Sequence, residues 1–228
     1  VVGLPLGYSA TEAKLAEVSK VDYERIGEQM KVEMVYVNCG SDAPADKYVE
    51  LVKKAAATGR TLVLGVKDVE IAKAALEVCK DGKPVLNGAD ASNYAEMSKV
   101  ATGAGVVLGV SGANLDELYD TVAALEKSGN KNLVIDTTGA TIRETFANTV
   151  EVRRAALKNE DRTFGYPSIV NVSKLVKGDK HMAQALASVF TMKYGSIVVL
   201  PGMDYADALP LYGLRQNLFT DPQKPMKV

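Results

Sequence analysis

The sequence predicts an α/β fold on a parallel sheet, read as eight strand-helix units of a (β/α)8 TIM barrel in one domain, residues 1–228. Seven apolar runs recur roughly every 20 to 30 residues, at 34–39, 61–66, 84–89, 106–110, 133–137, 166–170 and 196–200. They are rich in β-branched residues and apolar at successive positions, the pattern of parallel strands covered on both faces. Helix start and stop signals fill the gaps, and a composition 47% hydrophobic, 6% aromatic and without Trp suits a Val/Ala/Leu-rich sheet under helices.

The elements follow in order. Residues 9–29 read as a helix ahead of the first strand. Residues 44–59 read as the next, with Pro44 in its first turn, a Tyr48/Leu51/Val52/Ala55 stripe and Gly59 as its stop. Asn114 caps a helix with acidic residues in its first turn, closing at Ser128-Gly129-Asn130. Thr141-Ile-Arg-Glu144 fits a capping box. Residues 225–228 begin an eighth strand, and the leading helix takes the place of a helix after it. An open doubly wound sheet of fewer strands fits the same periodicity.

The net charge is −1, so no basic field exists to hold a nucleic acid or an anionic membrane. No apolar run reaches membrane-spanning length and no signal peptide opens the chain, so a cytoplasmic protein is expected. Cys39 and Cys79 have no Cys or His at metal-ligand spacing and read as ordinary buried thiols, with no metal site expected.

In a barrel the site lies at the C-terminal strand ends. The polar residues there are Asn38, Asn87, Asp90, Ser111, Asp136, Thr137, Thr138 and Asn171. Asp136 projects a carboxylate from a buried strand end, to orient a pterin-like amide or, more plainly, to cap the next helix or bind a neighbouring loop. Asn38, Asn87 and Asn171 form a ring of amides suited to a heterocycle's edge, although Asn is also a favoured turn residue after strands. Gly103-Ala-Gly105 precedes a strand, so it is not a dinucleotide fingerprint. Ser111-Gly-Ala-Asn114 could cradle a phosphate on backbone amides or be a plain turn. His181, the only histidine, sits in a charged first helical turn and is a poor general base. Lys67 follows a strand, yet no Lys lies within a strand's apolar core, which makes aldolase chemistry a minor alternative. No catalytic residue is assigned.

Five segments carry a resemblance: Val21-Asp-Tyr-Glu-Arg-Ile-Gly-Glu-Gln-Met-Lys-Val32, Asp136-Thr-Thr-Gly139, Arg153-Arg-Ala-Ala-Leu157, Gly165-Tyr-Pro167 and Gly213-Leu-Arg-Gln-Asn-Leu-Phe-Thr-Asp-Pro-Gln-Lys-Pro225. In order and spacing the chain resembles the central barrel of the large (gamma) subunit of the corrinoid/iron-sulfur protein, part of the acetyl-CoA decarbonylase/synthase complex. The resemblance implies the closed barrel. It also implies a methyl carrier between methyl-tetrahydropterin and the nickel centre of acetyl-CoA synthase, in acetyl-CoA synthesis or cleavage, as in methanogenesis and other one-carbon metabolism. The corrinoid and the 4Fe-4S cluster are implied in flanking domains of the full-length subunit, with none expected in this piece. The implied partners are the small (delta) subunit, forming a heterodimer, together with acetyl-CoA synthase and the pterin methyltransferase components. This domain is then scaffold and docking surface, with Arg215-Gln-Asn217 and residues 221–225 fixing a hinge or simply stopping a helix. The alternative is a free-standing pterin-binding barrel methyltransferase using Asn87, Asp136 and Asn171.

Overall fold

A computed structural model describes residues 2–7, 11–40 and 44–220. The elements run β1 (Val2–Gly7), α1 (Thr11–Val18), β2 (Asp22–Arg25), β3 (Glu28–Lys31), β4 (Met34–Asn38), α2 (Ala45–Ala56), β5 (Thr61–Gly65), α3 (Val69–Cys79), β6 (Val85–Ala89), α4 (Tyr94–Ala104), β7 (Val107–Val110) and α5 (Leu115–Lys127). There follow β8 (Leu133–Asp136), α6 (Ile142–Lys158), β9 (Ser168–Asn171), α7 (Val172–Leu175), α8 (Lys180–Met192), β10 (Ile197–Val199) and α9 (Tyr205–Thr220). β4 to β10 pair in parallel in sequence order, and β1 pairs in parallel with both β10 and β4, which closes the barrel.

All seven expected runs are barrel strands. The eighth is β1 at the start of the chain; the expected strand at 225–228 lies outside the described residues. The helix expected over 9–29 is also corrected: α1 covers only Thr11–Val18, and β2 and β3 form an antiparallel hairpin. The reason is a period of two. Val21, Met30 and Val32 are buried and Tyr23 half-buried, whereas Asp22, Glu24, Gln29 and Lys31 face solvent. Ile26 (φ 52°) and Gly27 (φ 75°) make the two-residue turn between them.

The helices behave as their sequences dictate. α2 buries Tyr48, Leu51, Val52 and Ala55, with Pro44 as its N-cap. The Asn114 side chain accepts from Glu117 N–H at 2.9 Å to start α5. Thr141 accepts from Glu144 N–H at 3.1 Å while the Glu144 carboxylate accepts from Ala140 N–H at 3.0 Å, which completes a box around the start of α6.

Strand alternation builds two layers. Val35, Val37, Leu62, Leu64, Leu86, Leu108, Ile135 and Val170 point outward and pack beneath the helices. Met34, Tyr36, Val63, Val85, Val134, Ile169, Ile197 and Val199 point inward and fill the barrel as a separate cluster. Above that plug, Asn38, Gly65, Asn87 and Gly109 stand side by side on β4, β5, β6 and β7, so amides alternate with glycines around the mouth.

Candidate functional site at the barrel mouth

The inward face of each strand ends in a residue at the mouth, so the period of two that fills the core also delivers the polar groups. A cavity of about 410 Å³ opens there, lined among others by Tyr36, Asn38, Cys39, Lys67, Asn87, Ser111, Asp136 and Lys174. A groove of about 940 Å³ between the outer faces of α4 and α5 is larger, but it lies away from the strand ends where barrel chemistry sits.

The Asn87 side-chain amide donates to the Asp136 carboxylate at 3.1 Å, and Thr138 N–H donates to the same carboxylate's other oxygen at 3.0 Å. Asn87 is 5% exposed and Asp136 8%, so this is a buried, mutually satisfied pair. Tyr36 lies beneath. Burial, and then the Asp136 charge, push its phenol well above the ordinary tyrosine range, against opposing hydrogen bonding from Asn87 and Asn171. The phenol is therefore neutral at physiological pH. Glycine makes room for both side chains: a Cβ at Gly65 would strike the Tyr36 ring, and one at Gly109 would strike the Asn87 amide.

The structure thus brings Asn38, Asn87 and Asp136 to one cavity. Asn171 is buried beside Tyr36, and its side chain accepts from Lys174 N–H at 3.3 Å to cap α7. Asp136 does not cap α6, which Thr141 does; it ties down its own loop and Asn87. Thr138 accepts from Asn171 N–H at 2.8 Å, and Thr137 donates to Ile169 O at 3.3 Å. Asp90 pairs with Lys67 at 2.7 Å; burial pushes its carboxyl up, but Lys67 and Ser92 outweigh that and hold it below the usual range. Lys67 is a rim cation in an ion pair, unlike a buried Schiff-base lysine.

Two phosphate-like features resolve plainly. Gly105 (φ 66°) ends α4 in a left-handed turn. In the Ser111–Asn114 turn, the Glu117 carboxylate accepts from Ala113 N–H at 3.0 Å and takes an amide a phosphate would need. His181 is exposed in the first turn of α8. Tyr36 and Lys174 were missed from sequence, although Met34, Tyr36 and Asn38 share one face by the same period of two.

The two long signature segments meet away from the mouth. Gln216 of α9 donates to Arg25 O at 2.9 Å and to the Glu28 carboxylate at 3.2 Å, while Arg25 donates back to the Gln216 side chain. Arg215 pairs with Glu33 at 2.8 Å, lies 4.8 Å over the Tyr212 ring, and Tyr212 donates to Lys31 O. These residues clamp the hairpin onto α9. Residues 221–225 lie outside the described residues, so no hinge or helix stop is read there.

A family model described as the CO dehydrogenase/acetyl-CoA synthase delta subunit matches residues 8–228. The chain belongs to this family. Within the CO dehydrogenase/acetyl-CoA synthase family, relatives of this chain are named as large or gamma subunits, whereas the family description carries the delta name. The chain is 33% identical over 218 residues to the corrinoid/iron-sulfur protein large subunit of Moorella thermoacetica, covering 95% of this chain and 48% of that protein. It is 30% identical over 220 residues to the acetyl-CoA decarbonylase/synthase complex subunit gamma of Archaeoglobus fulgidus, covering 91% and 47%. The chain therefore spans about half the length of these relatives. The fold is shared with dihydropteroate synthase of Thermus thermophilus (TM-score 0.69, 14% identity, 96% and 94% of the two chains). It is shared too with a DAHP synthase of Thermotoga maritima (TM-score 0.62, 12% identity, 95% and 66%). At these identities the likeness establishes the barrel alone. Among the described residues no helix is long and apolar enough to cross a membrane.

Proposed function

We propose that this chain is the barrel domain of a corrinoid/iron-sulfur methyl carrier, where it acts as scaffold and docking surface. The full-length subunit shuttles a methyl group between a methyl-tetrahydropterin and the nickel centre of acetyl-CoA synthase. Its partners are the small subunit, acetyl-CoA synthase and the pterin methyltransferase components. The observation that carries this reading is the family match over 8–228, in relatives about twice as long as this chain.

The described residues do not supply the thiolate set that an iron-sulfur cluster needs. Cys39 lies at the mouth, Cys79 is buried on α3 and donates to Ala75 O at 3.2 Å, and no three His, Cys, Asp or Glu side chains converge among the described residues. On this reading both groups belong to the parts of the full-length subunit that this chain does not span.

The test is methyl transfer by the full-length subunit assembled with its small subunit, comparing wild type with Asn87→Ala and Asp136→Asn. A scaffold barrel keeps its transfer rate within about twofold. A loss of about a hundredfold, with assembly intact, would show that the mouth takes part in chemistry.

One observation favours a second reading, a pterin-binding mouth: buried Asn87, Asp136 and Asn171 surround Tyr36 beneath an open cavity. Titrating a tetrahydropterin into the full-length subunit decides it. Shifts of the Asn87 and Asn171 side-chain amide signals support this reading, and no shift at millimolar ligand sinks it.

A further inference from the structure

α6 hides threonines and exposes larger apolar side chains. Its buried residues are Thr145, Thr149 and Val152, and the two threonine hydroxyls turn back to main-chain oxygens of the preceding turn. Phe146 and Leu157 face water instead, at 43% and 67% exposure. Phe146, half-buried Val150, Arg153 and Leu157 follow one another at spacings of four, three and four, the seam along which helices pack.

A furrow runs beside this seam. A cavity of about 370 Å³ lies between α6 and the segment from Thr191 to Ser196, lined among others by Arg153, Leu157, Tyr166, Met192 and Tyr194. Met192 is exposed, and the Tyr194 ring meets the Phe146 ring edge-on at 5.5 Å. Thr137, Arg153 and Tyr166 bring three of the short segments singled out in the sequence to this one place.

The charge of the furrow has one sign. Arg153 and Lys193 line it and no carboxylate does, in a chain whose net charge is −1. Neither cation pairs with a carboxylate among the described residues, and Lys193 lies 5.7 Å over the Tyr194 ring. Acids of the flanking elements are engaged: Glu126 accepts from Tyr166 at 2.7 Å, Glu151 pairs with Arg154 at 3.0 Å, and Asp161 accepts from Thr163 N–H at 3.0 Å. Lys158 and Glu160, both exposed and just past Leu157 in the chain, carry opposite charges.

We propose that this furrow is the docking site of an amphipathic helix whose apolar stripe is flanked by carboxylates, carried by the small subunit. This rests on the scaffold reading above, which makes the small subunit a partner. From Phe146 to Leu157 the seam runs about 16 Å, roughly three turns of helix, and a helix laid along it would cover the exposed apolar side chains. Two unpaired cations beside an apolar strip select carboxylates and repel lysine or arginine.

The experiment measures the dissociation constant between the full-length subunit and the small subunit at low and high salt, with the melting temperature of each full-length variant. Leu157 and Arg153 are exposed, so Leu157→Gln and Arg153→Glu should leave the melting temperature within about 2 °C of wild type. Leu157→Gln should weaken association about tenfold, the loss expected of an apolar anchor. Arg153→Glu should also weaken it about tenfold at low salt, and less at high salt, because it turns an attraction into a repulsion that salt screens. Arg153→Lys should stay within about threefold. Wild-type association that Leu157→Gln and Arg153→Glu both leave unchanged overturns the furrow and leaves the scaffold reading standing. Loss on only one of the two overturns an acidic amphipathic helix as the occupant. Absence of association by wild type overturns both the furrow and the scaffold reading. A fall in melting temperature above about 5 °C for both variants would show that the strip serves the fold, and would also overturn the proposal.

Discussion

Asn87 on β6 reaches Asp136 on β8 across the intervening strand β7, at 3.1 Å, and it can do so because β7 presents Gly109 at the crossing point. A side chain on the middle strand would fill the space through which the amide passes. The backbone of β7 and the polar pair above it are thus parts of one arrangement.

Gly109→Ala should therefore displace Asn87 and leave a buried carboxylate short of a donor. The expected cost is about 1–3 kcal/mol, read from urea unfolding as a lower midpoint. A midpoint within error of wild type would show that the amide has another place to go.

Gly65 and Tyr36 should be coupled. Gly65→Ala overpacks against the phenol ring and should cost about 1–3 kcal/mol. In a Tyr36→Leu background the same substitution should cost clearly less, giving a coupling energy above about 0.5 kcal/mol in a double-mutant cycle. Additive effects would mean that the ring does not bear on Gly65.

Gln216→Ala removes side-chain bonds from a residue only 3% exposed and leaves Arg25 O without that donor. A loss of about 1–3 kcal/mol is expected, with faster amide exchange across β2 and β3 than across the barrel strands. Uniform exchange changes would contradict a local clamp.

Alkali should destabilise the fold. Burial pushes the Cys79 thiol up from 9.0 to about 11, and burial, then the bond to Glu126, pushes the Tyr166 phenol up from 10.0 to about 12. The folded state favours the protonated form of both groups. Their contribution is full below pH about 9 and is lost as pH rises toward 12, because the unfolded chain releases these protons first. The urea midpoint should fall between pH about 8 and 10.5, and Cys79→Ala should reduce that fall. An unchanged midpoint, or an equal fall in the variant, would contradict this assignment.

Much of the architecture was legible in local pattern. The seven runs became β4 to β10, and the Tyr48/Leu51/Val52/Ala55 stripe is the buried face of α2. Asn114 and Thr141 cap the helices they precede. Each of these depends on residues within a few positions of one another, where periodicity and capping chemistry act directly. The hairpin is legible in the same way, through alternation from Val21 to Val32, whereas a helix period holds only over Thr11–Val18.

Tertiary structure decided what depends on distant strands. The barrel closes through β1, whose pairing with β4 and β10 no local signal announces. Sequence placed Asn38, Asn87, Asp136 and Asn171 at strand ends, but only the stagger of the closed barrel joined Asn87 to Asp136 and drew Asn171 down beside Tyr36. The segments 21–32 and 213–225 stood out as strings, and their meeting at Arg25 and Gln216 spans 191 residues. Propensity fixes which way a side chain points along its own element; which partner it meets is set by closing the whole sheet, and that is a property of no single segment.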